Sequence, residues 1–169
     1  MPRYQESASI KTAEPSAETL VGFIIGDEEY AIDIMGVQEI LRTMPITKVP
    51  NLPSFIEGVI SLRGNIVPVI FLRKRLGFSM QDVGESSRII IAEVGENIVG
   101  LVVDQVTAVI NLSKTDIKPP TPLMTQLKSK YVRGVGKLGE RLIILLDIAE
   151  ILTSQEINIM SKIKYEKEV

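Results

Sequence analysis

Histidine, cysteine and tryptophan are all missing from the 169 residues of this chain. Without cysteine there is no disulfide, no thiolate nucleophile, no iron–sulfur cluster and no thiolate zinc site. Without histidine the commonest general base, the usual zinc ligand and the usual phosphorelay acceptor are gone. Acid–base chemistry would fall to Asp, Glu, Lys, Arg, Ser, Thr or Tyr. Aromatic residues make up only 5% of the chain, too few for the stacking platforms that bind single-stranded nucleic acid. An excess of one charge is also missing. The 19 basic and 21 acidic residues leave a net charge of −2, which argues against non-specific nucleic-acid binding. No apolar run reaches the ~18 residues of a spanning helix. The N-terminal stretch MPRYQESASIKTAEPSAE lacks the apolar core of a signal peptide, so a cytoplasmic location is expected. No P-loop, kinase motif set or EF-hand loop occurs, and no metal site or cofactor is expected.

What the chain does contain is branched aliphatic residues. Ile and Val supply about 40 positions, the apolar fraction is 45%, and the charged fraction is 24%. Mean hydropathy is +0.21. A chain of this length buries about 70% of its unfolded surface, enough for one substantial core or two small ones. Residues 1–18 are polar and aperiodic and read as a flexible tail. From Leu20 onward, apolar runs of four to eight residues bounded by Gly, Asn and Glu read as strands.

These strands come in pairs around short turns. Leu20–Ile25 and Tyr30–Ile34 flank Gly26–Glu29, and Val59–Leu62 and Ile66–Phe71 flank Arg63–Asn65. Ile89–Val94 and Ile98–Val103 flank Gly95–Asn97, and Val132–Leu138 and Leu142–Leu146 flank Gly139–Arg141. Loop length and turn chemistry make all four hairpins. Pro68 cannot donate to a ladder and is expected at an edge or bulge. Helices are expected to be few. Val37, Ile40 and Leu41 fall at i, i+3 and i+4, and Ser54–Glu57 and Thr153–Glu156 both fit capping boxes. The second should open a C-terminal helix with Ile159 and Ile163 on one face. Residues 77–88 and 111–130 read as loops, the latter carrying Pro119, Pro120 and Pro122.

An internal repeat runs through these hairpins. At an offset of 76, Gly58-Val59 meets Gly134-Val135, and Ile66, Val67, Val69 and Ile70 meet Leu142, Ile143, Leu145 and Leu146. At an offset of 69, Ile25-Gly26-Asp27 meets Val94-Gly95-Glu96, and Val37 and Ile40 meet Val106 and Val109. Two units of four or five short strands, about 20–82 and 88–152, follow. Each is too small for a sandwich and suits a small closed barrel, and a seam between two barrels favours a ligand or partner.

Few residues carry chemistry. Gly134–Gly139 matches G-x-G-x-x-G, but a strand follows it where a dinucleotide site needs a helix, so the glycines serve the hairpin. Asp33, Glu39, Asp104 and Asp147 stand near strand ends and read chiefly as solvated turn residues. Asp147 is also placed to cap the turn 148–152. Arg63, in a tight turn, is either solvated or an interface anchor, since Arg is enriched at binding hot spots. Glu39 has the same two readings.

The pattern Gly26-Asp27-Glu28-Glu29-Tyr30, then Ile32, Val37-Gln38-Glu39-Ile40, and Phe55-Ile56-x-Gly58-Val59-Ile60-x-Leu62-Arg63-Gly64-x-Ile66-Val67-Pro68-Val69 resembles the CheW-like domain family of bacterial chemotaxis proteins. Gly100–Asp104 and Leu142–Leu145 continue the match, which spans about 19–153. The resemblance implies a mainly β fold: two tandem SH3-like five-stranded β-barrel subdomains, a few short helices and a C-terminal helix or tail over 154–169. Intertwining of the two subdomains is compatible with it. It also implies a non-catalytic scaffold at receptor arrays on the inner face of the membrane. The implied partners are the regulatory domain of the histidine kinase CheA and the cytoplasmic tips of methyl-accepting chemotaxis receptors, with no nucleic acid and no membrane insertion. By motif position, Val37, Glu39, Arg63 and Val109 match family positions implicated in receptor or kinase coupling. CheA itself requires a phosphorylated His, and CheV appends a receiver domain, so a stand-alone coupling domain is expected. Two departures stand out: Phe71 occupies a position where Asp is common, leaving the helix 72–76 without a cap, and Ser61 replaces a frequent Asn. Alternatives from other classes are an enzyme using Asp33, Asp104 and Asp147 in the inter-barrel groove, and an oligonucleotide-binding barrel.

Overall fold

The computed structural model describes residues 17–121 and 130–168. The expected tail lies outside the described residues as far as position 16, while Ala17 and Glu18 already belong to a strand. Residues 122–129 of the expected Pro-rich loop are outside them as well.

Eleven strands are described: β1 (Ala17–Ile25), β2 (Glu28–Asp33), β3 (Val37–Arg42), β4 (Gly58–Leu62), β5 (Asn65–Phe71), β6 (Arg88–Val94), β7 (Asn97–Val103), β8 (Gln105–Ser113), β9 (Ile117–Lys118), β10 (Val132–Leu138) and β11 (Arg141–Leu146). Two helices join them, α1 (Leu72–Arg75) and α2 (Ser154–Glu168). One sheet runs β8-β1-β2-β11-β10-β9 and the other β3-β6-β7-β5-β4. Pairing is antiparallel except between β2 and β11 and between β5 and β7. All four expected hairpins are present.

The apolar runs are nearly continuous because most strands are buried on both faces. Side chains alternate between two destinations. On β6, Ile90 and Ala92 enter a large core between the sheets, while Ile89 and Ile91 fill the interior of their own sheet. On β1, Val21, Phe23 and Ile25 enter the shared core, and Leu20 lines the other interior. Each sheet thus wraps its own small core and leans on a common one. This is the mainly β architecture of two small barrels with a C-terminal helix.

The sheets do not divide the chain at 82–88. The first hairpin, β1–β2, pairs with β8 and β11, while β3 to β7 make the second sheet. Applying the two offsets shows why. They match β1, β2, β3, β4 and β5 with β6, β7, β8, β10 and β11, and under that exchange one strand order becomes the other. A sequence repeat tells which strands are equivalent, not which are neighbours. Two crossovers do the interleaving: β2 passes to β3 through a 3-10 turn, Ile34–Gly36, and β7 passes to β8 through Asp104 alone.

Several local expectations are corrected. Residues 37–41 form no helix; they lie in β3, where burial alternates with period two and a bulge follows Val37. Three apolar residues at helical spacing are too few to outweigh the ladder offered by β6. Ser54–Glu57 is a turn, and Glu57 spends its carboxylate on Lys74, 2.9 Å away. Strands β8 and β9 reach into the expected loop 111–130. Pro68 lies in an interior strand, but β7 pairs with β5 only from Val69 onward, so Pro68 has a neighbour on one side. Helix α2 is capped as expected: the Thr153 Oγ1 accepts from Glu156 N–H, and the Thr153 N–H donates to the Glu156 carboxylate. Its docked face holds Ile157 and Met160, whereas Ile159 is exposed. At α1, Phe71 makes no side-chain cap, as its chemistry dictates, and packs instead against the interior of its own sheet.

Candidate functional site

The β4–β5 hairpin turns on two residues, Arg63 and Gly64, both with positive φ (52° and 83°). A two-residue turn of this handedness matches the twist of its strands and ordinarily calls for Asn or Gly at the first position. Arginine there is held in the left-handed region, a position where a side chain is usually present for what it does. Its guanidinium reaches β3 and grips Glu39 with both nitrogens, Nη2 to Oε1 at 2.8 Å and Nη1 to Oε2. Strands β3 and β4 are the two edges of their sheet, so this fork spans the opening where the barrel closes. Backbone closure is supplied lower down by Thr47 and Val59, whose N–H groups each donate to the other's carbonyl at 2.9 Å.

The fork shapes the charge of the site. The hydrogen bond from Arg63 holds the Glu39 carboxyl below its ordinary range, and the same bond raises the Arg63 guanidinium. Beneath it lies a cleft of about 220 Å³ at the barrel mouth, lined by Leu62, Ile66, Val67, Ile91 and Ile98 along with the ion pair. Arg63 remains 68% exposed and Ile66 38%. An oriented cation beside accessible aliphatic surface is the anatomy of a protein-docking rim.

Of the four residues singled out from sequence, the fold brings Glu39 and Arg63 together. Val37 shares β3 with Glu39, but its side chain packs against the inter-sheet core. Val109 stands on β8 in the other sheet and is 59% exposed. Its counterpart at the offset of 69, Ile40, is also exposed, and sequence reasoning passed over it. The signal was available, since Ile40 falls next to Glu39 in the quoted motif. Three carboxylates expected to be solvated have other work. Asp33 Oδ1 accepts from Met35 N–H, and Asp147 Oδ1 from Ala149 N–H, each capping a 3-10 turn; Asp147 was expected to cap. Both line one groove of about 780 Å³. Asp104 is held elsewhere by Arg73. The stacked rings Phe23 and Tyr30 are fully buried, so they offer no platform to bases.

A model of the CheW-like domain matches residues 19–156. The chain belongs to the CheW-like domain family. The chemotaxis protein CheW of Klebsiella aerogenes is 38% identical over 161 residues, covering 92% of this chain and 97% of that protein. The chemotaxis protein CheW of Helicobacter pylori is 35% identical, covering 89% and 92%. Among solved structures, the scaffolding protein TtCheW of Thermoanaerobacter tengcongensis superposes with a TM-score of 0.71 at 40% identity, over 76% of this chain and 88% of that one. Membership in the CheW-like family accounts for the paired barrels. Among the described residues, no helix is long and apolar enough to cross a membrane.

Proposed function

We propose that this chain is a non-catalytic chemotaxis scaffold, located in the cytoplasm at receptor arrays. It couples the regulatory domain of CheA to the cytoplasmic tips of methyl-accepting receptors. The observation that carries this reading is Arg63: a non-glycine residue in a left-handed turn, largely exposed, yet fixed by a two-pronged bond to Glu39. The turn itself needs no arginine, and an exposed, oriented arginine is the residue type enriched at binding hot spots. The similar proteins, a chemotaxis protein and a scaffolding protein, support the same reading.

On this reading Arg63 and Glu39 fix the register of a docked partner at the barrel mouth. Val37 supports the strand that carries Glu39, and Val109 contributes exposed apolar surface on the second sheet. Interfaces that assemble and exchange are expected near micromolar, about −8 kcal/mol each, with array cohesion arising from multivalency.

Arg63→Asp tests the assignment. Circular dichroism should stay near native, because no core contact is lost, while titration with a receptor-tip fragment and with the CheA regulatory domain should show weakened binding to at least one. Native-strength binding to both would remove Arg63 from the site. Loss of the native spectrum would make it a structural residue.

A further inference from the structure

One of the two crossovers between the sheets is a single residue, Asp104, and its carboxylate is the most heavily hydrogen-bonded among the described residues. Asp104 follows the last residue of β7 in one sheet and precedes the first of β8 in the other. Its carboxylate accepts from Arg73 Nε at 3.0 and 3.1 Å, from Arg73 Nη2 at 2.9 Å, and from the backbone N–H of Gly26 at 2.8 Å. Its own N–H donates to the Ile24 carbonyl at 3.1 Å. Arg73 belongs to α1, directly after β5, so it is carried by the β3–β7 sheet; Gly26 is in the turn of the opposite sheet's first hairpin. One carboxylate at the crossover thus ties both sheets together.

Further contacts fix the arginine. Only 10% of its side chain is exposed, and its Nη1 donates to the Ser79 carbonyl at 2.6 Å. Phe78, whose N–H donates to the Arg73 carbonyl at 2.8 Å, sets its ring edge-on to Tyr30 and lies close to Gly26. Among the described residues, no ion pair holds the other crossover in this way. At the offset of 69 the counterpart of Asp104 is Met35, which is 85% exposed, and at the offset of 76 the counterpart of Arg73 is Ala149.

We propose that Arg73 and Asp104 form a clasp that fixes the angle between the two sheets, leaving the Ile34–Gly36 crossover as the side that yields. Arg73 is a positioning residue: it acts through Asp104 on the orientation of two barrels that share an apolar core, where packing supplies contact without direction. Salt-bridged side chains at a crossover can set one of two packed arrangements, since interfaces move between discrete states. For a scaffold that presents a surface on each sheet, the angle sets which partner geometry fits. That consequence rests on the function proposed above, whereas the angle itself does not.

The test is a distance measurement by pulsed electron paramagnetic resonance. The absence of cysteine makes the full chain a ready background for spin labels at Lys137→Cys on β10 and Glu93→Cys on β6, both exposed and in different sheets. The parent should give one narrow distance. Arg73→Ala should broaden it or shift it by at least about 2 Å, the scale of interface rearrangements, while the circular dichroism stays native. Arg73→Lys, which keeps the charge but loses the fork, should fall between. Arg75→Ala is the control. Its ion pair with Glu156 is comparably shielded but anchors α2, not a crossover, so the distance should not change. If Arg73→Ala does not fold, Asp104→Asn gives the same reading, since it keeps an acceptor for Gly26 and removes the charge. A parental distance in a folded clasp variant, or an equal shift in Arg75→Ala, overturns the proposal.

Discussion

In the β3–β7 sheet, Arg63 at the β4–β5 turn reaches Glu39 on the far edge strand; in the β1–β2–β8–β11 sheet, the matching positions are Gly139 and Ala108. The second barrel has an arginine close by, but it is used differently. Arg141 on β11 donates to Glu29 on β2, its direct neighbour, at 2.6 and 3.1 Å, and Thr107 on β8 joins the same carboxylate. One pair bridges an opening between edges and the other reinforces strands that are already hydrogen-bonded. The crossovers differ in the same way, one clasped by Arg73 and Asp104 and the other built on Met35 and a cap. A repeat supplies two copies of a scaffold, and the polar residues then give each copy a separate task. Two partners can be told apart only if the two halves are not chemically alike.

The largest effect should come from what the halves share. Ile90 is fully buried in the core between the sheets, and Ile90→Ala should cost about 2–5 kcal/mol in denaturant unfolding with an unchanged slope. Next comes the contrast between crossovers. Asp104→Ala strands a nearly buried arginine and should cost about 2–3 kcal/mol, below the range for a fully buried pair because Asp104 is partly exposed. Asp33→Ala at the other crossover loses only a cap, about 1 kcal/mol. Equal costs would remove the distinction between them. Thr153→Ala, which breaks a capping box common to neither crossover, should also cost about 1 kcal/mol and shorten α2 by far-ultraviolet circular dichroism.

The smallest effect concerns pH. Glu39 titrates below its ordinary value of 4.5 in the folded chain, because Arg63 hydrogen-bonds its charged form. Its contribution to stability is therefore complete above that value and is lost as pH falls through the lower folded one. Carboxyl titration by nuclear magnetic resonance should show the Glu39 midpoint rising in Arg63→Ala. An unmoved midpoint would mean that the fork does not persist in solution.

Much of this was legible in the chain itself. Hairpins are local, and their turns were signalled by Gly26, Gly64, Gly95 and Gly139, each with positive φ. The repeat was legible because both copies need apolar residues on both faces. The interleaving was not, since the choice of sheet for β3 and β8 is made by contacts with strands far away in sequence. Strand β8 was missed because its outer face, with Gln105, Thr107, Ala108 and Asn111, thins the apolar signal. The glycines of the G-x-G-x-x-G stretch were read correctly as structural. A Cβ on Gly136 would sit 2.5 Å from the Leu112 side chain. For the site, Arg63 drew notice from its turn, but its link to Glu39 spans 24 positions and no local pattern announces it. Asp104 and Arg73 are 31 positions apart and were opaque for the same reason.

The most direct measurement of the whole account is a three-component titration. The full chain is first titrated calorimetrically with the CheA regulatory domain, then with a receptor-tip fragment, then with one partner already bound. Scaffold function predicts binding to each near micromolar and binding of the second partner in the presence of the first. Binding to neither at about 100 µM, weaker than about −5.5 kcal/mol, or strict competition between the two, would contradict it.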